Sequence, residues 1–304
     1  MKHFIPALLL ISLTFTACST APKQASTGPD LPSIIAVEPF LADIAQQVAG
    51  DRFSVETLIP GGVDPHSFEM TPRDAARLEE ADVLIINGGG LEEWLEPVLQ
   101  SLPKNQIMIV ASEGLTSRPV DINDPHAETG DPHYWLNPIN VVQYAANIRD
   151  GFIRFDPAGA DVYASNADAY AVQLRTLDEW IAGQVETIPV DKRLLVTNHE
   201  SLGYFADRYG FKVVGAVMPS VSSGASPSAR TMADLVNQIS TSGAKAIFLE
   251  VGANPELAEQ IASETGAQVV TDLYTHSFSE SGGPVSSYLE LMQYDTLLIV
   301  EALK

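Results

Sequence analysis

Residues 34–49 read IIAVEPFLADIAQQVA, a short apolar run followed by an amphipathic stretch. The run predicts a strand and the stretch predicts a helix. The same alternation continues to residue 110 and resumes from residue 194 to residue 270. Because strands that alternate with helices indicate a parallel sheet covered by helices, we predict an α/β fold with two lobes, each a mostly parallel sheet flanked by helices.

A long helical stretch lies between these two regions. Residues 158–186 contain no proline, are bracketed by Pro157 and Pro189, and carry apolar residues at near-helical spacing. This pattern predicts a helix that is long by globular standards and joins the lobes rigidly. The predicted divisions are an N-terminal lobe at 34–156, a connecting helix at 157–188 and a C-terminal lobe at 189–304.

The N-terminal segment predicts export and anchoring. The apolar run from Phe4 to Phe15 is shorter than the roughly 20 residues that span a bilayer, and small residues follow it. We therefore predict a signal peptide at 1–17. Cys18, the only cysteine, is placed as in the bacterial lipobox, where the thiol is lipidated; a free cysteine in a plain secretory peptide is the alternative. Residues 18–33 would be the lipidated cysteine and a tether, which puts the protein outside the cytoplasm, at the cell surface or in the periplasm.

The charge balance limits the class of partner. Acidic residues outnumber basic ones 39 to 17, for a formal net charge of -22. Nucleic acid is excluded as a partner, because phosphate contacts need Lys and Arg. With a single cysteine, no disulfide and no cluster of thiolates can form within the chain.

The tripeptide Asp-Pro-His occurs three times, at 64–66, 124–126 and 131–133. Proline fixes its own φ and holds the preceding residue extended, so each histidine follows a stiff, non-helical segment. Neutral imidazole is the commonest side-chain metal ligand, and a nearby carboxylate can orient the ring through its second nitrogen. The repeat therefore indicates metal ligands, with simple turn chemistry as the alternative.

Four candidate ligands follow strand-like runs or lie in loops after them: His66, His133, His199 and Asp272. Ligands of open α/β sheets bind at the carboxyl ends of strands. Two candidates come from each lobe, so we expect an ion at the interface of the lobes.

Several segments also carry a resemblance to a known family, and they cover nearly the whole chain after Ser33. In order they are 60–69 (PGGVDPHSFE), 87–95 (NGGGLEEWL), 131–138 (DPHYWLNP), 198–210 (NHESLGYFADRYG), 226–229, 250–251, 271–272 and 288–295. They resemble the zinc and manganese solute-binding proteins of ABC uptake transporters. The resemblance implies two α/β lobes on a long helix, one buried divalent ion held by His66, His133, His199 and Asp272, and a membrane permease as partner.

The third ligand position distinguishes the metals within that family, where manganese binders commonly have glutamate and zinc binders histidine. This chain has His199. Three imidazoles and one carboxylate suit Zn²⁺, whereas Mn²⁺ prefers more oxygen. We predict Zn²⁺ as the transported ion and Mn²⁺ as the alternative.

Three further residues are open to two interpretations. His126 is expected to be a solvated loop residue, or else a weak metal collector. His276 is expected at the surface, or else as an assistant to the site. Glu250 ends a strand-like run and either bonds a ligating imidazole or caps the following turn.

The number of candidate ligands favours a carrier over an enzyme. A zinc hydrolase keeps an open position for water and a nearby base, for which Glu200 or Glu250 would serve. Four protein ligands would fill the coordination shell, so we predict a non-enzymatic zinc carrier. We also expect the protein to be a monomer. A surface adhesin is a third class, and nothing in the sequence supports it directly.

Overall fold

The computed structural model describes residues 32–122, 124, 126–223, 227–279 and 282–304. Pro32–Lys304 form one compact unit. The predicted signal peptide, the predicted lipidation of Cys18 and nearly all of the predicted tether lie outside the described residues. Within the described part of the chain, none of the helices has the length and apolar character that a bilayer crossing requires.

The N-terminal sheet contains the first four strands, all paired in parallel in the order β2-β1-β3-β4. Its central strands are apolar and buried on both faces, as expected for a sheet covered by helices on both sides. The elements are β1 (Ile34–Ala36), α1 (Pro39–Ala49), β2 (Val55–Thr57), α2 (Pro72–Glu80), β3 (Val83–Ile86), α3 (Glu96–Leu99) and β4 (Ile107–Val110).

The C-terminal sheet repeats this organisation with the order β6-β5-β7-β8, again with parallel pairing throughout. The elements are β5 (Leu194–Thr197), α6 (Gly203–Tyr209), β6 (Lys212–Ala216), α7 (Ala229–Ser242), β7 (Ala246–Glu250), α8 (Glu256–Thr265), β8 (Gln268–Leu273) and α9 (Tyr288–Leu303). The α/β class with two parallel sheets is therefore confirmed.

Two helices lie between the sheets in the chain, α4 (Pro138–Phe155) and α5 (Ala160–Val185). Helix α5 has 26 residues and contacts α1 of the first lobe and α9 of the second. It begins three residues later than predicted, because Pro157–Gly159 form a short 3-10 turn. One apolar cluster includes Ile85 of the first sheet and Phe248 of the second, so the core is continuous across the lobes.

The last strand ends later than the apolar run suggested. The run stops at Val270, but β8 continues to Leu273, which pairs with Glu250 at the end of β7. Side chains alternate across a strand, and accordingly Leu273 is buried while Asp272 is exposed. The chain leaves the sheet only after Leu273, and this shift decides which residue reaches the site.

Candidate metal centre

Four imidazoles meet between the carboxyl ends of the two sheets. They belong to His66, His133, His199 and His276, and their candidate ligand atoms all lie within 4.8 Å of one another. The Nε2 atom of His133 lies 3.2 Å from Nε2 of His66 and 3.2 Å from Nε2 of His199. Four nitrogen donors converging on one point match the donor number and type of a tetrahedral zinc site.

The aspartate two residues earlier bonds the backbone of each N-terminal histidine, and at His133 it also contacts the ring. Oδ1 of Asp131 accepts the backbone N–H of His133 at 3.0 Å and lies 2.8 Å from its Nδ1. Oδ1 of Asp64 accepts the backbone N–H of His66 at 2.9 Å. A carboxylate on Nδ1 fixes the proton on that nitrogen and leaves Nε2 of His133 free to bind an ion.

The third Asp-Pro-His segment has the same local hydrogen bonds but a different place. Oδ1 of Asp124 accepts the backbone N–H of His126 at 2.7 Å and lies 3.0 Å from its Nδ1. Yet His126 is not in the group of four, and its Nε2 lies 3.8 Å from a Glu93 carboxylate oxygen. The tripeptide therefore orients a histidine, and the position of the loop decides whether that histidine reaches the site.

The two C-terminal histidines follow strand ends and face one shared carboxylate. His199 comes two residues after β5, and His276 three residues after β8. Oε1 of Glu250 lies 3.1 Å from Nδ1 of His199, an ion-pair contact at a poor hydrogen-bond angle. Oε2 of the same carboxylate lies 3.7 Å from Nδ1 of His276. Of the two interpretations of Glu250, these contacts favour the one in which it supports ligating imidazoles.

The structure corrects the predicted positions of His276 and Asp272. His276 is 6% exposed, not a surface residue, and its Nε2 is buried without a hydrogen-bond partner. Asp272 lies exposed in β8 and outside the group. The cause is the extra length of β8, which turns Asp272 to solvent and delays the loop by three residues. The signal in the sequence was the apolar Leu273, which ends the strand.

The fourth histidine is held from the opposite lobe. The indole N–H of Trp135 donates to the carbonyl oxygen of Thr275 at 2.7 Å, and Oγ1 of Thr275 lies 2.7 Å from Nδ1 of His276. The Trp135 ring lies 5.2 Å from the His133 ring and 5.6 Å from the His276 ring, centroid to centroid. Trp135 therefore links a histidine of one lobe to a histidine of the other.

Burial and charge set the protonation of the four rings. Burial, aided by the neighbouring imidazoles, holds the pKa of His66 and of His133 well below the ordinary value, and burial also lowers the pKa of His276. Burial acts in the same direction on His199, but the nearby carboxylates, Glu250 foremost and then Asp64 and Asp131, together outweigh it and raise the pKa. Three imidazoles are therefore neutral and ready to bind a cation near neutral pH.

A small cavity of about 140 Å³ borders the centre on the C-terminal side. Its lining includes His276 together with the carboxylates of Asp64 and Glu250. Within the cluster His133 and His199 are fully buried, whereas His66 is partly exposed. A cation can thus approach the imidazoles past two negatively charged groups.

Comparison with known proteins assigns the chain to a family. Residues 34–302 match the family described as zinc-uptake complex component A, periplasmic. The chain belongs to this family. The predicted resemblance to metal solute-binding proteins is therefore confirmed.

Relatives of this chain are named for iron and for manganese. The chain is 32% identical over 294 residues to the iron-binding protein YfeA of Yersinia pestis, covering 93% of each. It is 30% identical over 297 residues to the manganese-binding lipoprotein MntA of Halalkalibacterium halodurans, covering 97% of this chain and 96% of the relative.

Solved structures share the whole fold. The Mn-bound periplasmic metal binding protein from Candidatus Liberibacter asiaticus superposes with a TM-score of 0.81 at 30% identity, covering 90% of this chain and all (100%) of that one. The periplasmic zinc binding protein TroA of Treponema pallidum has the same fold, with a TM-score of 0.83 at 24% identity over 90% of this chain and 99% of that one.

Proposed function

We propose that this protein is the Zn²⁺-binding component of an ABC uptake transporter, with His66, His133, His199 and His276 as the ligands of the transported ion. The coarser part, a metal-binding component of an ABC transporter, follows from its family. The observation that carries the choice of ion is the convergence of four imidazoles within 4.8 Å. Imidazole nitrogen in four-coordinate, tetrahedral geometry is a preferred setting for Zn²⁺.

Manganese is the alternative, since relatives are named for manganese and iron as well as zinc. Mn²⁺ prefers oxygen ligands. The group of four contains no carboxylate, and Glu250 faces the Nδ1 atoms of two rings instead of their Nε2 atoms. The donor set therefore supports Zn²⁺ over Mn²⁺.

Four protein ligands also support a carrier over a hydrolase. A hydrolytic zinc ion needs an open position for water, whereas an ion fully coordinated by side chains is chemically inert and can be passed on intact. We infer that the protein receives the ion outside the cytoplasm, anchored to the membrane through lipid on Cys18, and delivers it to a membrane permease.

The direct test is metal analysis of protein purified without chelators, combined with X-ray absorption at the metal edge. We expect one Zn²⁺ per chain with four nitrogen neighbours at about 2.0 Å. Competitive titration should place the Zn²⁺ affinity above the Mn²⁺ affinity. Retention of Mn²⁺ in preference to Zn²⁺, or a zinc shell with an oxygen ligand from water, would contradict the proposal.

A further inference from the structure

The four proposed ligands are neutral when they bind, so the charge of the ion has to be balanced by groups behind them. Among the described residues, carboxylates lie on the Nδ1 side of three of the four rings: Asp131 behind His133, and Glu250 behind both His199 and His276. These two carboxylates differ in their own neighbours, and that difference indicates which one sets the charge of the site.

Asp131 is partly compensated by a cation. Its second oxygen, Oδ2, lies 3.8 Å from the guanidinium of Arg118, which also bonds Asp207. Asp64 directs Oδ1 to the backbone N–H of His66, and its other oxygen accepts from the hydroxyl of Ser223. Asp131 therefore shares its charge with a guanidinium, and the described contacts of Asp64 are to a backbone N–H and a hydroxyl instead of an imidazole ring.

Among the described residues, no arginine or lysine forms an ion pair with Glu250. Its ion pairs in the described part of the chain are to His199 and His276 alone. Its oxygens also accept from neutral hydroxyl groups, that of Ser201 at 3.2 Å and that of Thr275. The side chain is 13% exposed, which limits screening by water. One full negative charge thus faces two of the four proposed ligands.

We propose that Glu250 is a specificity-determining residue that makes the site favour a divalent cation over a monovalent cation of otherwise similar binding chemistry, such as Cu⁺. This inference rests on the proposed function, because it assumes that the four histidines bind the ion. The physical reason is Coulomb's law: a fixed negative charge attracts a doubly charged ion twice as strongly as a singly charged ion at the same place. Zn²⁺ and Cu⁺ are a suitable pair because both bind imidazole and differ in charge.

The test compares Zn²⁺ and Cu⁺ affinities of wild type and Glu250→Gln by competition with chelators, under anaerobic reducing conditions for Cu⁺. Gln keeps the size of the side chain and an oxygen that can accept from Nδ1–H, but it loses the charge. We expect the ratio of Zn²⁺ affinity to Cu⁺ affinity to fall by about tenfold or more. An equal loss for both ions would overturn the proposal, because it would mean that Glu250 only orients the rings.

Three further variants separate charge from structure. Glu250→Asp keeps the charge, so the ratio should stay within about threefold of wild type. Glu256→Gln removes one charge from an exposed position at the start of α8, and the ratio should not change. If Glu250→Gln does not fold by circular dichroism, Glu250→Ala replaces it with the same expected fall.

Wild-type protein that fails to bind Zn²⁺ would refute the proposed function, whereas an unchanged ratio in a zinc-binding variant refutes the role of Glu250 alone.

Discussion

The two lobes hold their imidazoles by different means. In the N-terminal lobe an aspartate two residues earlier bonds the backbone of each proposed ligand, and Asp131 also contacts the ring of His133, so these contacts lie within three residues of chain. In the C-terminal lobe His199 and His276 lie far apart in sequence and share Glu250, which comes from a third segment. The first arrangement depends on local backbone geometry and the second on the register of the sheet.

The largest loss of Zn²⁺ affinity should come from removing His276, the proposed ligand whose position depends on where β8 ends. His276→Ala should lower Zn²⁺ affinity by more than the roughly 10- to 100-fold typical of losing a group that supports a ligand, because a coordinating nitrogen is lost. Asp272→Ala is the matched control and should bind like wild type, since Asp272 is exposed. Competitive chelator titration measures both. The opposite pattern would restore Asp272 as the ligand.

The contact between Asp131 and the ring of His133 can be weakened without changing a proposed ligand. Asp131→Asn should reduce Zn²⁺ affinity about 10- to 100-fold, because the carboxylate that orients His133 becomes a neutral amide. Asp124→Asn makes the same change beside His126, which lies outside the group of four. Isothermal titration should show no loss for Asp124→Asn, and equal losses in both variants would point to a global effect of charge.

Exchanging the type of ligand in the C-terminal lobe should change selectivity. His199→Glu replaces a nitrogen donor by a carboxylate that can coordinate through two oxygens, so the ratio of Zn²⁺ affinity to Mn²⁺ affinity should fall, by about tenfold. The ratio is the quantity to measure, by competition titration, because Mn²⁺ binds most sites more weakly than Zn²⁺. A ratio that stays constant or rises would show that position 199 does not set selectivity.

The smallest expected effect is a pH dependence of Zn²⁺ affinity, because the pKa of His199 is raised while those of the other three histidines are lowered. The raised pKa of His199 means that this ring carries a proton in the ion-free protein up to a pH above its ordinary value of about 6.5. The lowered pKa values of His66, His133 and His276 mean that these rings gain protons only at lower pH. Affinity should therefore fall with a slope of about one proton from pH 7.5 to pH 6.5 and more steeply below.

Calorimetry in buffers of different ionisation enthalpy measures this proton release directly. Near pH 7 we expect about one proton per Zn²⁺ or fewer in wild type, and less in Glu250→Gln, where the pKa of His199 is no longer raised. A release near three protons at that pH would mean that the N-terminal imidazoles are not held neutral.

The two N-terminal histidines, which the structure brings together with His199, could be singled out from the sequence because their backbone geometry is local. Asp-Pro-His restricts its own backbone, so His66 and His133 could be identified as rigidly held rings from three residues each. The same reasoning could not separate His126 from the other two, because in all three segments the aspartate accepts the backbone N–H of the histidine. The course of the chain after β4 decides that the ring of His133, and not that of His126, joins the group of four.

The C-terminal half depended on where a strand ends, which sequence patterns define poorly. His199 was identified because the apolar run before it stops close to the true end of β5. The run before Asp272 stops three residues before the end of β8, so the prediction chose a residue that is still in the sheet. The role of Glu250 could be stated only as one of two alternatives, because its contacts are made by residues distant in sequence.

Trp135, the residue that links the two lobes beside the centre, gives the protein an optical property. Its indole is fully buried and stacks on Phe40 at 4.3 Å between centroids, and the rings of His133 and His276 are its neighbours. A positive charge placed among those imidazoles changes the electric field at the indole and therefore the colour of its fluorescence. An ion with unpaired electrons, such as Mn²⁺, quenches that light, whereas Zn²⁺ with its filled d shell does not. The emission of Trp135, measured against that of Trp94 and Trp180, can thus distinguish such ions without a label and without removing them from the protein.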